Sequence, residues 1–320
     1  MWPSLKKRLV KIRIHDLKPQ RHMIPSIKLF IPTIAISLFT ILDKTLIGIL
    51  VPGEIETTLS SGSIVVSKIA DLENGYYAQS EKIVKMAMMV IASLGTVMMP
   101  RNAKVLEEGR QEVFLNNIQK SIEYVFFIGA PITAGIIAIS KNFSPWFFGP
   151  GYEKVPLLLI IFAFMVIPSG LGNVFGQQYL IPKGEDNKYT ITYVSTGIIN
   201  LFLNLILIPR FLSYGAAVAS VVAEIFAPIL MIFFLRGKVS LTRVVKHNWK
   251  PVVSAILMFF IVYFSSKNLV PTINNTILLF VEGVIAYFVI SLLIKSKVAD
   301  ESLQMIKRRR IVGGKDGEKR

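Results

Sequence analysis

The residues equipped for chemistry in this chain are polar and ionisable ones set inside long apolar stretches. Asp43 and Lys44 lie in the outer third of residues 31–50, IPTIAISLFTILDKTLIGIL. An ionisable pair in such a run is costly enough to imply a task. Neighbouring residues on a helix are about 100° apart, so the two cannot face one partner. Lys44 is expected to snorkel to the outer interface while Asp43 faces the interior. There Asp43 serves either a cavity or ion pair, or a plain interfacial pair. Glu81 and Lys85 share a helix face at i, i+4. Lys82 and Lys85 are candidate counter-charges for Asp43, and ammonium groups there suit an anionic phosphate.

Two further sets recur every four residues and so form helical faces. One is Ser169, Asn173 and Gln177, with Gln178 beside it; the other is Thr196, Asn200 and Asn204. Amide and hydroxyl groups that donate and accept suit sugar hydroxyls, so such faces either line a hydrophilic cavity or bond one helix to the next. Glu224 and Glu282 each sit midway along an apolar run. A carboxylate at that depth is a proton or cation site, or a protonated acid bonded to a neighbouring helix; the second reading is favoured for Glu282, and Glu224 is the candidate for a coupling ion. Gly215, Ala219 and Ala223, like Gly172 and Gly176, are spaced for close helix packing.

Other chemistries are not encoded. The chain has no cysteine, and His15, His22 and His247 are far apart in basic segments, so neither a disulfide nor a metal site is expected. GGKDGEK near the C-terminus lacks the earlier glycine of a phosphate loop and follows no strand, and no nucleophile is paired with a base. No cofactor and no enzymatic activity are expected.

The elements that must position these residues are membrane spans. Of 320 residues, 52% are apolar and 18% charged, with a mean hydropathy of +0.56. An excess of 36 basic over 20 acidic residues can signal nucleic acid, but here the charges alternate with topology. An all-α bundle of about eight spans follows, over residues 31–50, 75–100, 118–140, 156–180, 189–208, 215–235, 252–264 and 273–294. The even count puts both basic ends in the cytoplasm, where the positive-inside rule wants them. The expected organisation is a basic cytoplasmic arm over 1–28, a six-span core over 29–236, two added spans over 237–294 and a basic tail over 295–320. Arm and tail are expected to meet anionic lipid rather than nucleic acid.

Three stretches carry a family resemblance: FIPTIAISLFTILDKTLIG, GYYAQSEKIVKMAMMVIASLGTVMMPR and NLFLNLILIPRFLSYGAAVASVVAE. In this order they resemble the C-terminal half of the polysaccharide repeat-unit flippases of the multidrug, oligosaccharidyl-lipid and polysaccharide exporter superfamily. The residues that carry it are Asp43, Lys44, Gly48, Gly75, Tyr76, Tyr77, Pro100, and Asn204 through Pro209 and Gly215 to Glu224. The resemblance implies movement of undecaprenyl-diphosphate-linked oligosaccharide across the cell membrane for capsule or exopolysaccharide synthesis, by rocking two lobes around a cationic cavity. On that reading Asp43, Lys82 and Lys85 lie near the diphosphate path, and Asn173, Gln177, Asn200 and Asn204 meet sugars. Two departures stand out. The chain starts at what resembles the inter-lobe linker, so a truncated or split half-transporter is expected, needing a separate first lobe or a second copy. Residues 58–74 also replace a short turn. The alternatives are a cation-coupled multidrug exporter using Asp43 or Glu224, and a non-transporting scaffold or inert remnant.

Overall fold

In hydrocarbon a backbone has only itself to bond to, so runs this apolar must be helical. The computed structural model describes residues 37, 41–58, 64–235, 241–296 and 298–299. The basic arm, the C-terminal cluster and most of the first span's inner half lie outside the described residues. The elements in order are α1 (residues 41–50), β1 (Glu54–Thr58), β2 (Ile64–Lys68), α2 (Ile69–Glu107), α3 (Gln111–Phe148), α4 (Val155–Ala163), α5 (Val166–Phe175), a π-helical turn (Gly176–Leu180), α6 (Asp186–Phe234), α7 (Leu241–Lys267) and α8 (Ile273–Leu293).

Among the described residues, six helical stretches are long and apolar enough to cross a membrane: Ile69–Glu107, Gln111–Phe148, Val155–Leu180, Asp186–Phe234, Asn248–Lys267 and Ile273–Leu293. A multi-pass membrane fold is therefore plain. α6 is 49 residues long. As a straight rod it would measure about 73 Å, more than twice a hydrocarbon core. It is not straight: Leu212 has φ 53° and ψ −132°, and the chain folds back there. Asn204 before the reversal and Ser220 after it reach the same carboxylate. α6 is thus the two spans expected over 189–208 and 215–235. Gly215 makes the hairpin possible, because a Cβ there would overlap the Leu207 carbonyl. Ala216, Ala219 and Ala223 are fully buried along the returning leg, as close packing of small residues requires.

Two sequence expectations change. The polar segment after the first span is not an open loop: β1 and β2 pair antiparallel, with Glu54 opposite Lys68 and Thr58 opposite Ile64. The run of three β-branched residues, Ile64, Val65 and Val66, favours that strand over a turn. The second span also starts at Ile69 rather than Gly75 and runs through Pro100 to Glu107, leaving only a tight turn before α3. Pro100 costs one intrahelical bond without ending the helix.

One large apolar core joins α1 to α6 through Ile47, Tyr77, Ile122, Leu158, Phe162 and Phe175. A smaller one joins α3 to α7 and α8 through Phe127, Ala130, Met258, Val262, Leu279 and Tyr287. At one end of the bundle Glu73 is almost fully buried, with Lys154 and the Ser213 hydroxyl on its carboxylate and the Ser213 amide donating at 3.2 Å. The Lys154 ammonium lies 6.0 Å and 5.8 Å from the Tyr76 and Tyr214 ring centres. This clamp ties the loop FGPGYEK to the α6 reversal. In that loop the Gly151 amide bonds the Glu153 carboxylate at 2.9 Å and holds its pKa below the ordinary value. Glu282 accepts from Ser265 of α7 at 2.7 Å, the interhelical bond favoured for it from sequence.

Replacing Gly215 by valine forces the two legs of α6 apart. Thermal unfolding in detergent should show destabilisation of about 1–3 kcal/mol.

Candidate functional site

Asp43 is 1% exposed, although it stands in an apolar helix. Three helical legs bring it donors: Tyr77 of α2 at 2.5 Å, Asn204 of the outgoing leg of α6 at 2.5 Å and Ser220 of the returning leg at 2.6 Å. The Tyr77 and Ser220 oxygens are 2.9 Å apart, and Ser220 also bonds the Ala216 carbonyl. Asn200 accepts from Asn204 at 2.9 Å. Every donor is neutral, and among the described residues no cationic side chain pairs with Asp43. The buried Asn204 amide oxygen has no hydrogen-bond partner among the described residues.

The charged partners lie one helical turn away. Glu81, nearly buried, bridges Lys44 at 3.1 Å and Lys85 at 2.6 Å. Lys44 therefore bonds a carboxylate of α2, and Lys85 answers Glu81 rather than Asp43. Lys82 is exposed, turned about 100° from Glu81 on the same helix.

From this cluster a recess of about 380 Å³ extends between α2, α5 and both legs of α6. Asp43, Lys85, Asn173, Gln177 and Glu224 all line it, with Ser169, Thr196 and Ser220. Tertiary folding thus brings five of the sequence candidates to one surface. Asn200 and Asn204 do not join them. Both are fully buried and hold Asp43, because Tyr77 and Ser220 fill the space at their level while Thr196, farther along the same face, meets the opening. Lys82 is not on the wall either.

An amide network stiffens the far side of the recess. Asn173 donates to Gln177 at 3.0 Å, Gln178 donates to Asn173 at 3.1 Å, and Ser121 donates to Gln178 at 2.7 Å. Asn117 donates to Asn102, which donates to the Gln178 carbonyl. The π-helical turn lets this happen: its extra residue puts Gln177 toward the recess while Gln178 faces α2 and α3. Gly95 leaves room for the Asn173 amide, and Gly176 for the Tyr189 ring. Tyr189 and Tyr193, 4.8 Å apart edge to face, complete the wall. Sequence reasoning met Tyr77 and Ser220 only as part of the family resemblance, with no role in the site, and passed over Tyr189 and Tyr193. The spacing of four and then three residues from Tyr189 through Tyr193 to Thr196 matches a helical face, but tyrosines in apolar runs are ordinarily packing residues.

Beyond α2 lies a second recess of about 410 Å³, walled almost wholly by apolar side chains of α3, α7 and α8, including Ile128, Ile132, Met258, Val262, Phe280 and Val284.

With this geometry, comparison with known proteins gives a consistent picture. The family model described as lipid II flippase MurJ matches residues 55–281. The probable low-salt glycan biosynthesis flippase Agl15 of Haloferax volcanii is 27% identical over 225 residues, covering 68% of this chain and 46% of that protein. The putative O-antigen transporter of Escherichia coli K12 is 24% identical over 120 residues, 38% of this chain and 29% of the relative. A solved structure of a lipid II flippase MurJ in an inward closed conformation superposes with a TM-score of 0.66 at 17% identity, over 92% of this chain and 59% of that one. The chain thus spans less than two thirds of each protein it matches.

Asp43→Leu orphans the Tyr77, Asn204 and Ser220 donors and should cost roughly 2–5 kcal/mol of stability. Thr196→Val, which removes a hydroxyl without a partner, should change it by less than about 0.5 kcal/mol. Parallel detergent melts of both variants check the contrast.

Proposed function

The chain belongs to the lipid II flippase MurJ family, and we propose on that footing that it forms one lobe of a transporter for lipid-linked oligosaccharide. One observation carries the reading: a recess into which amide, hydroxyl and ionisable side chains project among methionines, backed across α2 by an almost wholly apolar recess of similar size. A cargo with a sugar head and a polyprenyl tail needs both surfaces, and a uniformly greasy drug needs neither amide wall. Lys85, with Lys44 beside it on Glu81, supplies the cationic rim for a diphosphate. Asn173 and Gln177 face the sugars.

We assign ion or proton coupling to Asp43. Of the three carboxylates in the recess, Asp43, Glu81 and Glu224, it is the one enclosed by neutral groups from three helical legs. Its charge is then balanced by a bound proton or monovalent cation, and occupancy alters how α1 packs on the α6 hairpin. Glu224 opens into the recess and takes a different role, described below.

Both termini are assigned to the cytoplasm, a reading that the basic segments of the sequence support. Residues 29–236 act as the lobe core and 237–294 as an added pair. A polar wall towards lipid is costly, so a second lobe, from another chain segment or a second copy, covers it, and transport proceeds by rocking the two. The glycan is a capsule or exopolysaccharide repeat unit.

In the source organism, a chromosomal Lys85→Ala substitution should raise the intracellular pool of lipid-linked repeat unit about tenfold, while Lys82→Ala leaves it nearly unchanged. Mass spectrometry of extracted lipids reads the pool. An unchanged pool at normal protein level, or drug sensitivity without a glycan defect, overturns the reading.

A further inference from the structure

Thr196 is the point of departure. Hydroxyls in helices ordinarily bond the carbonyl one turn back, as Thr190 does to Asp186 and Thr192 to Lys188, each at 2.9 Å. Thr196, on the same helix and 2% exposed, does not: it stands on the recess wall, and its buried oxygen has no hydrogen-bond partner among the described residues. Its hydrogen-bonding capacity is left unused by them.

Glu224 faces the same space from the returning leg of α6. The other acidic residues deep in this bundle are answered: Glu73 by Lys154, Glu81 by two lysines, Asp43 by three donors. Glu224 has no ion pair among the described residues; the Ser169 hydroxyl of α5 bonds it, and the Lys85 charge also acts on it. Lys85, also on the wall, is held by Glu81 at 2.6 Å. A carboxylate offers about four acceptor positions, and most of those of Glu224 are open. Beside it the Tyr189 and Tyr193 rings give an apolar face.

We propose that Glu224, Thr196 and Ser169, flanked by Tyr189 and Tyr193, form a subsite for one neutral, hydroxyl-rich sugar ring, and that Glu224 excludes uronic acids. The carboxylate accepts from adjacent sugar hydroxyls, Thr196 bonds a third, and a tyrosine ring covers the carbon–hydrogen face. A uronate would bring a second anion against Glu224 in a low-dielectric recess. This rests on the reading of the recess as the glycan path and adds to it the charge class of the sugar.

The test uses the full chain in phospholipid nanodiscs, since many detergents carry sugars themselves. Saturation-transfer difference NMR at neutral pH measures methyl glucoside, N-acetylglucosamine and glucuronate. The two neutral sugars should bind and glucuronate should bind at least about tenfold more weakly. Glu224→Gln should bring glucuronate to within about twofold of the glucoside, Glu224→Asp should keep the discrimination, and Thr196→Val should weaken every sugar about tenfold with an unchanged melting temperature. Equal binding of glucuronate and glucoside by the unaltered chain overturns the subsite, as does a ratio that Glu224→Gln leaves unmoved. If no sugar binds at all, the glycan path falls with it.

Discussion

A buried carboxylate must be answered, and the answer to Asp43 organises the lobe. Tyr77, Asn204 and Ser220 come from α2 and from the two legs of α6. Their convergence fixes the rotation of each helix about its axis. Hydrophobic packing alone would not do so, because lipid tails solvate apolar helix faces as well as other helices do. A helical hairpin at Leu212, small residues on its returning leg and Tyr77, about two turns into α2, all serve that one meeting point.

The recess follows from the same constraint. Large side chains such as Tyr77 fill the space between α1, α2 and α6; farther along, Gly95 and Gly176 make room for the Asn173 amide and the Tyr189 ring that wall the recess. The amide wall then projects into a volume instead of a helix interface. The π-helical turn after α5 contributes by splitting two neighbouring glutamines between different duties, one to the recess and one to the network with Ser121 and Asn102. At the far end, the Glu73–Lys154 pair holds the loop before α4 to the α6 reversal, a second buried charge met by a formal opposite charge. Asp43, by contrast, is met by neutral donors from three helical legs.

The two recesses differ in chemistry. Polar groups of α2, α5 and α6 project into one among methionines, and apolar groups of α3, α7 and α8 line the other, with Lys85 and Ala87 on opposite sides of one turn of α2 facing each. Their adjacency comes from α3, whose 38 residues contribute to both apolar cores and carry the added pair of helices.

Hydropathy and periodicity by themselves determined that the chain is a multi-pass helical bundle, where most spans lie and which polar residues share a helical face. These are consequences of local geometry and of the cost of exposing backbone to lipid. Three motifs also carried the family. The sequence read the Glu81–Lys85 pair correctly because i, i+4 neighbours meet in any helix. It did not fix what Asp43, Asn200 and Asn204 do, because their partners lie 34 to 177 residues away in sequence. Nor did it reveal the strand pairing of Glu54–Lys68 or the glutamine split at the π-helical turn. One face, Thr196, Asn200 and Asn204, ends up with two duties, and only tertiary packing decided where the cavity begins along it: spacing sets direction on a helix, whereas depth and partner are set by the helix that arrives opposite.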